Sequence, residues 1–163
     1  MNVGLTKAGF STVSLLLLGL VSGSANADDI DAHETEMLEH RHHIAVFLGN
    51  THTEHDEDAF TIGLDYEYRL TALLGIGALG EHAVKDIDTW VFGVPLALHP
   101  GAGWRLVAMP GIEVHDGETE FLIRAGVGYE FEIDRLTIMP EFSADFVDSE
   151  VNLGVGVSLG VKF

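Results

Sequence analysis

The chain contains no cysteine. That absence excludes a disulfide framework, a thiolate metal site and a lipidated cysteine. Basic residues are scarce too: 8 Lys and Arg stand against 26 Asp and Glu, a formal charge of −18. Such a balance repels phosphate, so nucleic acid is not an expected partner. After the first two dozen residues no run approaches the roughly eighteen continuous apolar residues of a membrane helix. If this chain crosses a membrane, it crosses as strands. Signs of catalysis are equally thin. There is no His-x-Ser pair and no HExxH spacing, and no serine is evident beside His82. Ser143 and Ser158 fall on the polar side of their segments and Ser149 in a connection, whereas an activated serine needs a base and an orienter at hand.

What is present begins with a leader. Lys7, the apolar stretch Val13 to Val21 and the small-x-small run Ala25-Asn26-Ala27 make residues 1–27 a secretory signal peptide. Residues 28–43 are acidic and His-rich, with too little apolar content for a core, and read as a solvated periplasmic lead-in. Residues 44–163 remain for one domain.

The final thirteen residues set the pattern for that domain. From Val151 to Phe163 every odd position is apolar and every even one small or polar. A period of two means an extended strand with one greasy and one polar face. Soluble strands run to about five or six residues, whereas a tilted membrane-spanning strand needs roughly nine to eleven. Seven similar segments precede it, at about 43–51, 59–70, 72–82, 89–99, 104–115, 120–132 and 135–147. The second alternates most clearly, with Phe60, Ile62, Leu64, Tyr66 and Tyr68 against Thr61, Gly63, Asp65, Glu67 and Arg69. The expected fold is all-β: an eight-stranded antiparallel up-and-down transmembrane β-barrel, 44–163.

Connections after the second, fourth and sixth segments are tight (Leu70–Ala72, Pro100–Gly103, Ile133-Asp134), and the others are acidic. Membrane barrels have short periplasmic turns, longer outer loops and even strand numbers, so the tight turns and Phe163 belong on the periplasmic side. Aromatics of the apolar face gather at strand ends: Phe60, Trp90, Phe92, Phe121 and Phe146 at one pole, and Tyr66, Tyr68, Trp104, Tyr129, Phe131 and Phe163 at the other. Two girdles around an aliphatic band suit a bilayer. The alternative is a periplasmic lipocalin-like lipid binder, with the apolar face turned inward around a ligand. Pro95, Pro110 and Pro140 interrupt three segments, and a bulge shared by the fourth and fifth is expected around the first two.

A barrel of eight strands is only wide enough for side chains to fill it, which excludes a general diffusion pore. The inward face carries Asp65, Glu67, Arg69, Glu81, Arg105, Glu113, Arg124, Glu130, Glu132, Glu141 and Asp145, expected to form an interior ionic network. Three arginines do not neutralise eight acids, so buried ones need pairing, a proton or a cation. Folding about Ile133-Asp134 sets Glu141 opposite Gly126, diagonal to Arg124 and within reach of a bidentate pair, with Gly156 on its other side.

Other candidate sites are peripheral. His33, His40, His42 and His43, interleaved with carboxylates, suit a transition metal. Acidic connections at the outer pole are candidates for divalent cations that bridge to lipopolysaccharide phosphates. Beyond these divalent cations no cofactor is expected.

The terminal strand ending on Phe163 resembles the C-terminal signal strand of bacterial outer-membrane barrels, whose last Phe is read by the assembly machinery. From Ile44 to Phe163 the chain is similar to the small outer-membrane barrel superfamily of OmpX, OmpA and OmpW type. Stretches such as His42-His43-Ile44-Ala45-Val46-Phe47-Leu48-Gly49 and Phe60 through Tyr68 also resemble an uncharacterised proteobacterial group. The resemblance implies a place in a Gram-negative outer membrane, with its lipids, lipopolysaccharide and the assembly machinery as partners. A structural or interaction role at the envelope is the first reading. A narrow porin-like conduit for protons, small cations or small apolar solutes, and a lipid-modifying enzyme, stay open beside it. Oligomeric state is not specified.

Overall fold

Each alternating segment becomes a strand whose side chains point by turns outward and inward. The computed structural model describes residues 40–53, 58–84, 88–148 and 150–163. The leader 1–27, the lead-in up to residue 39 and with it His33 lie outside the described residues.

Ten strands are present: β1 (His42–His52), β2 (Asp58–Arg69), β3 (Leu74–Val84), β4 (Thr89–Gly93), β5 (Leu96–Gly101), β6 (Trp104–His115), β7 (Glu118–Tyr129), β8 (Phe131–Ile133), β9 (Leu136–Val147) and β10 (Glu150–Lys162). β4 with β5, and β7 with β8, each form one interrupted stave, so the staves number eight. Every neighbouring pair is antiparallel, and β10 pairs with both β9 and β1, which closes the barrel. At the seam the His42 amide donates to the Phe163 carbonyl (3.0 Å) and the Phe163 amide donates back (2.8 Å). β1 thus starts inside the stretch assigned to the lead-in, because the partner strand extends to the last residue.

Closure decides which face is inside. Leu64, Ile123, Val155 and Leu159 are about half exposed on the outer surface, while Glu67 is 1 % and Arg105 3 % exposed. The apolar face therefore points outward, the reverse of the lipocalin-like alternative. Part of the inner wall is apolar as well, where Val91, Met109, Leu122 and Val147 form a buried cluster.

Three local expectations are corrected. No bulge accompanies Pro95 and Pro110: β4 and β5 keep one register against β6, Gly93 opposite Gly111 and Leu96 opposite Ala108. A proline in an antiparallel pair withholds one donor but still accepts. Accordingly Val94 donates to the Pro110 carbonyl (3.1 Å) and Gly77 to that of Pro95 (2.9 Å). The irregularity lies instead between Leu98 and Gly101, where Gly101, Ala102 and Gly103 all take positive φ to turn the chain. Second, the β8–β9 turn is Asp134-Arg135, Ile133 facing Leu136, with Asp134 at φ 59°. That moves the register by two residues and sets Glu141 opposite Gly128, not Gly126. Third, the acidic connection at 116–117 is as tight as those at the other pole, since His115 faces Glu118 directly.

Candidate functional site

Among the described residues, strand parity gathers charged side chains chiefly in the lumen. They stack in layers from the pole that holds the chain terminus to the far pole.

Nearest the terminal pole, Lys162 of β10 reaches Glu130 at 2.7 Å and Glu132 at 2.5 Å. Glu132 is half exposed there, at the rim and not inside. His43 of β1 is buried and bonds Thr137 of β9 at 2.8 Å.

Above this layer Glu67 is the centre of the first ionic cluster. Its Oε1 meets Arg69 Nε (2.8 Å) and His99 Nε2 (2.7 Å), and its Oε2 accepts from Arg105 Nε (2.9 Å). Arg105 Nη2 donates onward to Asp65 Oδ2 at 2.9 Å. Room for Glu67 comes from Gly75 across the β2–β3 ladder, where a Cβ would stand 2.7 Å from the carboxyl carbon. Charge-assisted pairs of this kind are the strong ones.

A second cluster surrounds Arg124. Its Nε and Nη2 donate to the two oxygens of Asp145 at 2.6 and 2.7 Å, and Nη2 also meets Glu81 Oε2 at 2.6 Å. The bidentate partner is thus Asp145, directly opposite Arg124 in the corrected register, and not Glu141. Glu141 lies between the clusters and accepts from the Ser158 hydroxyl; Gly128 and Gly156 flank it. A small cavity of about 30 Å³ lies between the two clusters.

Beyond Arg124 the lumen widens into a vestibule of about 200 Å³ that includes Thr51, Thr53, Glu113, His115, Glu150 and Asn152. At that pole His52 pairs with Asp58 (3.0 Å) and His82 with Asp88 (2.9 Å), and His82 stacks on Trp90. His115 bonds the Thr89 hydroxyl at 2.9 Å. These are rim contacts, and among the described residues no serine joins them; Ser149 lies outside the described residues.

The histidines at the start of β1 do not converge. His43 enters the lumen, whereas His42 faces outward, stacked on Phe163 with centroids 5.4 Å apart and bonded to the Tyr66 hydroxyl at 2.8 Å. Adjacent residues of a strand point to opposite faces. Among the described residues no group of three His, Asp or Glu side chains is arranged to hold a metal ion. Phe163 itself is half exposed at the seam. His99 and Lys162 join the lumen contacts without having been singled out, although strand parity puts both on the polar face.

No family model matches the chain, and no curated protein matches it by sequence. Similarity appears at the level of structure. Neisserial surface protein A is 9 % identical with a TM-score of 0.55, over 75 % of this chain and 96 % of that one. The N-terminal barrel domain of Pseudomonas aeruginosa OprF is 14 % identical, TM-score 0.53, over 74 % and 97 %. Ail, the attachment invasion locus protein of Yersinia pestis, solved with a heparin analogue, is 12 % identical, TM-score 0.53, over 75 % and 97 %. At such identities the likeness speaks to architecture alone. The fold is that of the small, closed, eight-stranded outer-membrane β-barrels.

Proposed function

We propose that the chain is an integral outer-membrane β-barrel with a packed ionic interior and a structural or interaction role at the envelope. The observation that carries this reading is the inverted polarity. Apolar side chains cover the outside, while Asp65, Glu67, Arg69, Glu81, Arg105, Arg124 and Asp145 are buried and paired within. In water that exterior would be a contiguous apolar surface far beyond what soluble proteins expose; in a bilayer it is the required one. The aromatic ends of the band support the same placement: Trp90 with Phe92 at the far pole, Trp104 with Tyr129 and Phe131 at the terminal pole. The acidic far pole then faces outward, where bridging divalent cations connect it to lipopolysaccharide, and Phe163 serves the assembly machinery.

The Glu67 cluster blocks the lumen, which favours a non-conducting barrel. The vestibule is the observation that favours the runner-up, a narrow conduit. Planar-bilayer recording separates them: a closed trace at all voltages supports the packed interior, and stepwise currents at modest voltage transfer the assignment to the conduit. Fractionation to outer membranes, with faster migration of unboiled protein on SDS gels, tests the placement.

A further inference from the structure

The lumen holds more carboxylate than its guanidinium groups answer, and the excess gathers at one level. The cavity between the two clusters is bounded by three carboxylates (Asp65, Glu81 and Glu141), by Ser143 and Ser158, and by two guanidinium residues, Arg105 and Arg124, so the acids exceed the cations by one. Its volume admits a single water-sized guest. Asp65 gives Oδ2 to Arg105, but its Oδ1 is buried without a hydrogen-bond partner, in a residue only 7 % exposed. Glu141 accepts from Ser158, while Arg105 is directed at Asp65 and Glu67, and Arg124 at Asp145 and Glu81. A buried carboxylate oxygen with no partner is costly, and more so beside a second carboxylate that shares the charge of Arg105 with Asp65 and Glu67.

A guest that satisfies both carboxylates carries positive charge and fits the space of a water. A divalent ion asks for about six or more oxygen ligands, several of them retained waters in the case of magnesium, which is more than so small a space admits, consistent with the absence of a three-group metal cluster among the described residues. A lone monovalent ion asks for less: oxygen ligands of mixed kind and one unit of charge.

We propose that the central cavity binds one small monovalent cation of sodium size, held by Asp65 Oδ1, the Glu141 carboxylate and the hydroxyl oxygens of Ser143 and Ser158. Entry is from the far pole. Glu81 and Arg124 line both the cavity and the vestibule, and the vestibule itself offers Glu113 together with the buried, unpartnered Thr53 Oγ1 and Asn152 Oδ1. Toward the terminal pole the Glu67–Arg105 cluster closes the path. The cavity is therefore a blind, outward-facing cation site and not part of a channel, and it rests on the closed-barrel reading above.

The test is thermal unfolding of the purified barrel in detergent micelles, in sodium chloride or in N-methylglucamine chloride at matched ionic strength. A ligand that binds only the folded state raises the unfolding temperature progressively with its concentration. The expected result is a sodium-specific rise that the bulky cation does not reproduce, lost in Asp65→Asn and reduced in Glu141→Gln. Equal behaviour in the two salts, or a sodium-specific rise that persists in a folded Asp65→Asn, overturns the site. If that variant does not fold, sodium-23 relaxation of the wild-type sample decides: broadening that survives excess potassium and N-methylglucamine supports the site, and no broadening, or broadening that either ion removes, ends it. Failure of the barrel reading is distinct, since it removes the heat-dependent gel shift from the same preparation.

Discussion

At the scale of single residues, burial turns ordinary ion pairs into structural commitments. Arg124 serves Asp145 and Glu81 together, with all three side chains less than a tenth exposed. Removing one partner of a buried pair leaves charge without compensation and costs about 3–5 kcal/mol. Arg124→Met is expected to destabilise the refolded barrel by that order in urea titrations monitored by gel shift, and Asp145→Asn with it to recover part of the loss. Gly75→Ala drives a methyl group into Glu67 and is expected to cost about 1–3 kcal/mol as overpacking does, measured the same way. Most lumen residues were legible from parity alone, because alternation assigns a face without any three-dimensional information. Their pairings were not. Arg124 reaches Asp145 and not Glu141 because the hairpin turns on Asp134-Arg135, and a two-residue shift changes every cross-strand partner. His99 and Lys162 lay on the polar face and were legible in principle; the count of arginines alone hid them.

At the scale of strands, the prolines show how a closed sheet tolerates missing donors. Pro110 sits on the outer face and faces Val94, whose amide still donates to it. The reciprocal bond is absent because proline has no N–H. Pro110→Val is expected to restore it and to stabilise the barrel by about 1 kcal/mol, with slowed hydrogen exchange at position 110 relative to its neighbours in the stave. A variant less stable than the parent would mean that the interruption relieves twist between β4 and β5. Strand number and the order of the meander were readable from the spacing of alternating segments. Of the two split staves, the break at Val94-Pro95 was signalled by its proline, whereas the one at Glu130 was not, since that residue leaves the apolar and polar alternation around it intact. The seam is the other strand-scale feature. Phe163 exchanges two backbone bonds with His42 and stacks on its ring. Deleting Phe163 removes both, and the expected outcome is a lower yield of heat-modifiable protein in outer membranes; an unchanged yield would detach the residue from assembly.

For the whole molecule, inside and outside follow from closure together with polarity. Periodicity defines two faces but does not say which is enclosed, and the burial of Glu67 and Arg105 against the exposure of Leu64 and Val155 decides it. Function is legible to a lesser degree, because an eight-stranded barrel is a scaffold and its role resides in lumen and rim chemistry. The most direct test of the account uses the chain's two tryptophans. Trp90 and Trp104 are each about half exposed on the outer surface, at opposite poles. Reconstituted in bilayers of brominated lipid, both are predicted to be quenched, more by bromines near the interface than by those at the bilayer centre. Fluorescence unaffected by bromine at any depth would contradict the account, because it would take the apolar face out of the membrane.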